Sequence, residues 1–455
     1  MIEPVPMGEY PIAHAVFLAL VVGSSVFFSW LAWVNVRHGR RTLDREREWV
    51  ESTFDLEDPS RVSAYHRAKT TLGQVRSWAV LAVVLLALYS GLIASIVEWF
   101  ETLGYGPVVT GTGFFVAVMV GMRALSVPFD LYDTFVVEER FDFNNQTLGL
   151  FVRDLVIGFC VTVALVASLA AAVLVAVDAL PTLWPLAALA IFAAFSLAML
   201  VVYPRVIAPL FNDFEPVEAG ELREAVERVF DRAGFTCDDV YVMDASRRSG
   251  HSNAYFVGFG RTKRVVLFDT LVEQMDLPEL ESVLAHELAH WKQNHIWKQF
   301  GASLVRIGVA LGVLWALLET TWLYAMFDLP ATPYVGLAVG ALWLGPLLEL
   351  TSPLENRLSL AHEREADAFA TSVMGDGAPL VEALTRLTGE NLSNPFPHPL
   401  YATFHYDHPP IPERIRYIRG LGEAGESGAG GGSAGEDSSG EGRDGAGATA
   451  SGSEA

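Results

Sequence analysis

Seven stretches of this chain are apolar enough, and long enough, to cross a lipid bilayer, and that constrains the fold more than any other feature. They run over about 11–36, 78–98, 108–127, 154–178, 184–204, 302–325 and 332–350. Each is at or near the roughly 20 residues a helix needs to span about 30 Å of hydrocarbon. The expected fold class is therefore mainly α, a polytopic membrane protein with seven spans. A composition of 51% hydrophobic against 18% charged residues points the same way.

The first run is preceded by no Lys or Arg and ends in the basic cluster Arg37, Arg40 and Arg41, the reverse of a cleavable leader, so it reads as a retained span. Segments 1–36, 98–122, 176–183 and 320–332 lack Lys and Arg, and the segments alternating with them hold all 31. The positive-inside rule then puts the N-terminus outside, and 37–76, 128–153, 205–300 and the C-terminus in the cytoplasm. The formal charge of −22 leaves no basic footprint for nucleic acid, and such acidity suits a high-salt cytoplasm. Cys160 and Cys237 are the only cysteines, too few for a disulfide framework or a thiolate zinc site.

The chain divides accordingly. Residues 1–204 hold spans one to five with their cytoplasmic loops, and 205–300 form a small cytoplasmic α/β region. Spans six and seven occupy 301–351, 352–420 hold a third-ligand helix and a C-terminal substrate motif, and 421–455 is a Gly-, Ser- and acid-rich tail expected to be disordered. Within 205–300, residues 220–234 have helical periodicity, 239–243, 253–259 and 264–268 read as strands, and 278–299 as one long helix.

That helix carries His286-Glu287-Leu288-Ala289-His290, an H-E-x-x-H pattern. Positions i and i+4 share a helix face, so both imidazoles can reach one Zn²⁺ while Glu287 takes a proton from water. A catalytic zinc needs a third protein ligand. Glu363 offers one, with Asp367 a turn later on the same face to accept an N–H from a ligand histidine. His362 and Glu365 are rivals, but neither has a carboxylate at i+4.

From about 126 to 417 the sequence resembles the Ste24-type CAAX prenyl proteases, the membrane-embedded branch of the M48 metallopeptidases, as a prokaryotic homologue. The resemblance lies in Pro128 to Tyr132 with Phe143-Asn144 and Gln146-Thr147, in Tyr203-Pro204 through Asn212, in Ser252 to Phe256, in Val266 to Leu271, in the motif His286 to Trp291, in Glu363 to Asp367, and in His408-Pro409-Pro410 with Glu413-Arg414. The chain departs from the family at Leu360, where an Arg is usual, and at Asp142, where a Gly is usual.

The resemblance implies a barrel of seven helices around a water-filled chamber, and one zinc at its cytoplasmic end. It places Asn253, Ala254, Tyr255 and Phe256 as an edge strand to which substrate adds, and His408 and Arg414 as donors to developing negative charge. The implied partners are the lipid bilayer and a peptide or protein substrate, membrane-associated and with or without a prenyl group. An HtpX-like quality-control protease is the alternative within the superfamily. A metal-binding scaffold or transporter without catalysis is the alternative outside it, and that one has no need of Glu287.

Overall fold

The computed structural model describes residues 9–54, 56, 58–236, 239–257 and 264–429. Among them are seven helices long and apolar enough to span a bilayer: Pro11–Arg45, Ser60–Tyr89, Pro107–Glu138, Leu148–Ala179, Trp184–Leu210, His295–Leu318 and Pro333–Leu350. Proline opens the first, third and seventh, where a missing N–H costs nothing. The Thr147 hydroxyl caps the fourth by accepting from Leu150 N. Each spanning helix packs against the next and the seventh returns to the first, so the seven close into a ring. Phe17, Phe114, Phe327 and Tyr334 pack together across one end. The opposite end carries a four-stranded sheet and the helices that cover it.

Several elements differ from the sequence reading. The second helix begins at Ser60 and stops at Tyr89, and Gly91 at φ 78° turns the rest of that run into a separate helix, Leu92–Thr102. At 30 residues the second helix is about 45 Å long, so it projects well beyond the hydrocarbon. The sixth span ends at Leu318, and Trp322–Ala325 is a separate short helix whose Leu323 and Tyr324 join the cluster of Phe17, Phe114, Phe327 and Tyr334. The long helix expected over 278–299 is two helices: Leu277–Lys292 ends at Gln293, and Asn294 at φ 60° starts the sixth span in a new direction. Helix Ile411–Ala429 continues into the segment read as disordered tail, and Glu and Ala favour that extension. Residues 430–455, Cys237 and positions 258 and 259 of the expected third strand lie outside the described residues.

The sheet has the order β1 (Phe214–Pro216), β2 (Asp239–Met243), β4 (Arg264–Phe268), β3 (Ala254–Val257). β2 and β4 run parallel, while β1 and β3 pair antiparallel at the two edges. Val265, Val266 and Leu267 are all buried, as befits a strand packed on both faces. The helix Leu277–Lys292, here the motif helix, lies on this sheet together with Glu221–Ala233 and Ala378–Glu390. Their shared core includes Val226, Phe230, Leu280, Leu284, Leu288 and Leu384.

Polar contacts fix the motif helix. Asp276 and Glu279 form a capping box: Glu279 N donates to Asp276 Oδ1 at 3.1 Å and Asp276 N to Glu279 Oε2 at 3.0 Å. Arg386 bonds the buried Glu279, and Arg228 the buried Glu281, so each flanking helix holds one carboxylate of the motif helix. Arg248 donates to Asp154 of the fourth span at 2.9 Å, and Lys69 of the second span bridges Asp133 and Glu138 of the third. Glu138 also accepts from Tyr65 at 2.9 Å and faces His251 Nε2 at 3.4 Å, just ahead of β3. At Asp142 the backbone is left-handed, φ 65°, which explains why glycine is the low-strain residue there. Asp tolerates this region better than most residues, and Arg61 Nη2 bonds its carboxylate at 2.9 Å.

Candidate metal centre

The motif helix and the helix Ser352–Met374 pack closely along their lengths, although spans six and seven separate them in sequence. Those spans run out and back side by side, returning the chain to the sheet's end of the ring. Glu363, 2% exposed, thereby meets His286 and His290. His286 Nε2 and His290 Nε2 are 3.4 Å apart, and the Glu363 oxygens lie 3.4 Å from the first and 3.3 Å from the second.

That triangle fits a metal. Bonds of about 2.0–2.1 Å in tetrahedral array place neighbouring ligand atoms about 3.3–3.4 Å apart. The chemistry agrees as well, since Glu363 Oε2 is buried without a hydrogen-bond partner, and an orphaned buried carboxylate oxygen is costly unless something else satisfies it. Burial opposes its charge, yet His286 and His290 hold the Glu363 carboxyl well below the usual range, ready to coordinate as an anion.

Contacts behind the triangle orient both imidazoles. Asp367, with no exposed surface, sits 3.0 Å from His286 Nδ1, and taking the proton there leaves Nε2 free. Burial works against a charged His286, but Asp367 and then Glu363 raise it to about 9. Arg414, also buried, donates to Asp367 from Nε at 3.0 Å and from Nη2 at 2.6 Å, a bidentate pair. Its Nη1 is 3.9 Å from Glu363 Oε2.

A second orienting pair was not anticipated. His290 Nδ1 lies 3.1 Å from His295 Nδ1, and His295 Nε2 lies 2.9 Å from Glu365 Oε2. His295 is 1% exposed and stacks on His362 at 4.1 Å between centroids. His295 escapes a search at i+4 because the backbone breaks at Asn294. The one local signal is that asparagine, a residue prone to the left-handed conformation that ends helices.

Of the other sequence candidates, Glu287 is half-buried on the motif helix between the two histidines; burial opposes the charge of the Arg414 guanidinium, but Asp367 above all, then Glu363 and last Glu287, raise it. His408 stands on the open side of the triangle, its side chain 56% exposed and its Nε2 3.4 Å from Glu363 Oε1. Against partial desolvation, Asp407 and Glu363 hold the His408 imidazolium above its usual range. Asn253 precedes β3, and Phe268 N donates to its carbonyl at 3.1 Å. Ala254, Tyr255 and Phe256 lie in β3, which pairs only with β4 among the described strands and packs beside the motif helix. Leu360 is half-buried on the returning helix, and nothing in the structure explains why it stands there.

A ring of membrane helices that closes over an H-E-x-x-H helix and a third, acidic ligand candidate defines the class: a multi-pass membrane metallopeptidase. The family model described as the CAAX prenyl protease N-terminal region with five membrane helices matches residues 37–213, and that of peptidase family M48 matches 216–421. CAAX prenyl protease 1 homolog of Arabidopsis thaliana is 39% identical over 309 residues, 68% of this chain and 73% of that protein. CAAX prenyl protease 1 of Saccharomyces cerevisiae is 34% identical, covering 66% and 70%. The crystal structure of S. mikatae Ste24p superposes with a TM-score of 0.81 at 28% identity, over 89% of this chain and 98% of that one. The chain belongs to the Ste24-type CAAX prenyl protease family of M48 peptidases.

Proposed function

We propose that this chain is a zinc metalloendopeptidase that holds one Zn²⁺ on His286, His290 and Glu363, and that it acts at the cell membrane with its site facing the cytoplasm. The observation that carries the reading is the 3.3–3.4 Å triangle of two imidazole nitrogens and a buried carboxylate. When bound, zinc supplies Lewis acidity, which lets water lose a proton near neutral pH and polarises a peptide carbonyl. Glu287 accepts that proton and later passes it to the leaving amine. Asp367 and His295 keep protons on the Nδ1 side of His286 and His290, so that both Nε2 lone pairs face the metal.

His408, exposed beside Glu363 and biased toward its charged form by Asp407, donates to the negative charge that develops on the carbonyl oxygen. Arg414 supports the same charge from behind through Asp367 and Glu363. The free edge of β3, Asn253 to Phe256, takes the substrate as an added strand. The ring of spans encloses the aqueous chamber through which substrate reaches the site. The cytoplasmic placement follows from the alternation of Lys- and Arg-bearing segments.

That the relatives from Arabidopsis thaliana and Saccharomyces cerevisiae are CAAX prenyl proteases favours a prenylated, membrane-associated peptide or protein over an unmodified one. Zinc analysis combined with cleavage of a farnesylated CAAX peptide and of an unmodified membrane-protein fragment tests this. One zinc per chain and faster turnover of the farnesylated peptide are expected. Preference for the unmodified fragment moves the reading to a quality-control protease, and failure to cleave either by zinc-loaded protein refutes it.

A further inference from the structure

A groove of about 870 Å³ lies away from the metal centre, on the projecting half of the second span. Its floor is one face of that helix, since Ala64, Arg67, Ala68, Thr71, Leu72 and Val75 recur at i, i+3, i+4, i+7, i+8 and i+11. Arg40 and Asp44 of the first span form one wall, and Phe129, Tyr132, Val136 and Arg140 form the other. The volume falls within the roughly 300–1,000 Å³ typical of small-molecule sites.

The two ends of the groove differ in chemistry. Toward the membrane it is apolar and open: Val75, Tyr132 and Val136 are about half exposed, and the same side of the second helix continues to the exposed Leu86. Toward the sheet it bears three guanidinium groups. Arg67 and Arg140 make no ion pair among the described residues, and Arg40 meets only Asp44, at 3.9 Å with both side chains largely exposed. In a chain of net charge −22, where carboxylates outnumber Lys and Arg 53 to 31, three arginines facing one groove with a single acid is a local reversal. Thr71 and the serines at 60 and 63 add hydroxyls along it.

We propose that this groove binds an anionic phospholipid, with the phosphate against Arg40, Arg67 and Arg140 and an acyl chain along Leu72, Val75 and Phe129. Charge complementarity selects an anion, and continuity with the exposed apolar side of the second helix, at Val75 and Leu86, selects one that carries a hydrocarbon chain. A free phosphate would leave the apolar half of the groove unused. Since the second span also holds the third through Lys69 and Glu138 next to His251, the lipid stiffens the helix that supports the start of β3.

The test titrates the full-length protein in detergent with phosphatidylglycerol, phosphatidylcholine and soluble glycerol 3-phosphate, reading bound lipid by native mass spectrometry. Phosphatidylglycerol is expected to bind at least tenfold tighter than phosphatidylcholine, and glycerol 3-phosphate not to displace it. Each arginine near an anionic headgroup is worth about fivefold, so the double variant Arg67→Gln/Arg140→Gln loses about thirtyfold in affinity. The charge-matched control Arg45→Gln/Arg47→Gln stays within twofold. Ala68→Trp, which fills the apolar floor and leaves the arginines in place, weakens the lipid but not by changing charge. Unchanged phosphatidylglycerol binding in the double variant overturns the proposal, as does equal binding of phosphatidylcholine. Displacement by glycerol 3-phosphate at lipid concentrations overturns the lipid assignment in favour of an ion site.

Discussion

Replacing Asp367 by Asn changes one oxygen for an NH₂ in a pocket with no exposure to solvent. The carboxylate receives Arg414 Nε at 3.0 Å and Arg414 Nη2 at 2.6 Å, and lies 3.0 Å from His286 Nδ1. An amide has one acceptor oxygen, so at least one of those donors faces another donor, and the buried Arg414 loses its main counter-charge. Breaking a buried pair in this way costs about 3–5 kcal/mol, a large part of the 5–15 kcal/mol of a typical fold. Losing the group that fixes the His286 tautomer costs about 10–100-fold in metal affinity. Burial opposes ionisation of Asp367, but His286 and Arg414 hold its carboxyl below the usual range. Its contribution is therefore present above about pH 4 and fades only as pH falls through the depressed folded value. The assay is a chelator-competition zinc titration with thermal unfolding of the loaded and stripped protein, and Glu413→Gln, at an exposed ion pair, is the control. Zinc affinity within twofold of wild type, together with unchanged melting, refutes the role given to Asp367.

Three further outcomes are expected. Glu363→Ala loses zinc and activity together while His362→Ala retains the metal, measured as zinc per chain; the reverse pattern would show the third ligand to be misassigned. His295→Ala lowers zinc affinity about 10–100-fold through His290, and Glu365→Gln, at a carboxylate half open to solvent, lowers it less, in the same titration; wild-type affinity in both removes this pair from the account. A thiol label introduced in 98–107 reacts from outside intact cells and one in 215–235 only after permeabilisation, and the opposite pattern overturns the cytoplasmic placement.

The spans were legible because a bilayer imposes a length and an apolar content that no other environment demands at once. His286, His290, Glu363 and Asp367 were legible because i, i+4 spacing on a helix fixes a shared face wherever the helix goes. Contacts made across the fold were not. Near His295 only Asn294 hints that the chain turns back onto His290, and whether that asparagine adopts φ 60° is decided by the packing around it. The position of Arg414 against Asp367 rather than alone at the open side depends on how Ile411–Ala429 docks on the returning helix. The groove, too, is invisible in sequence, because Arg40 comes from the first span, Arg67 from the second and Arg140 from just past the end of the third.

The central claim is that a metal held by His286, His290 and Glu363 is put to hydrolysis by Glu287, and the variant Glu287→Gln tests it most directly. Glu287 supplies no ligand atom to the triangle, so its amide should leave the metal in place and remove only the proton acceptor. Zinc per chain and peptide turnover are measured on the same preparation. The account predicts one zinc per chain with cleavage lost. Turnover at the wild-type rate with zinc bound would contradict it.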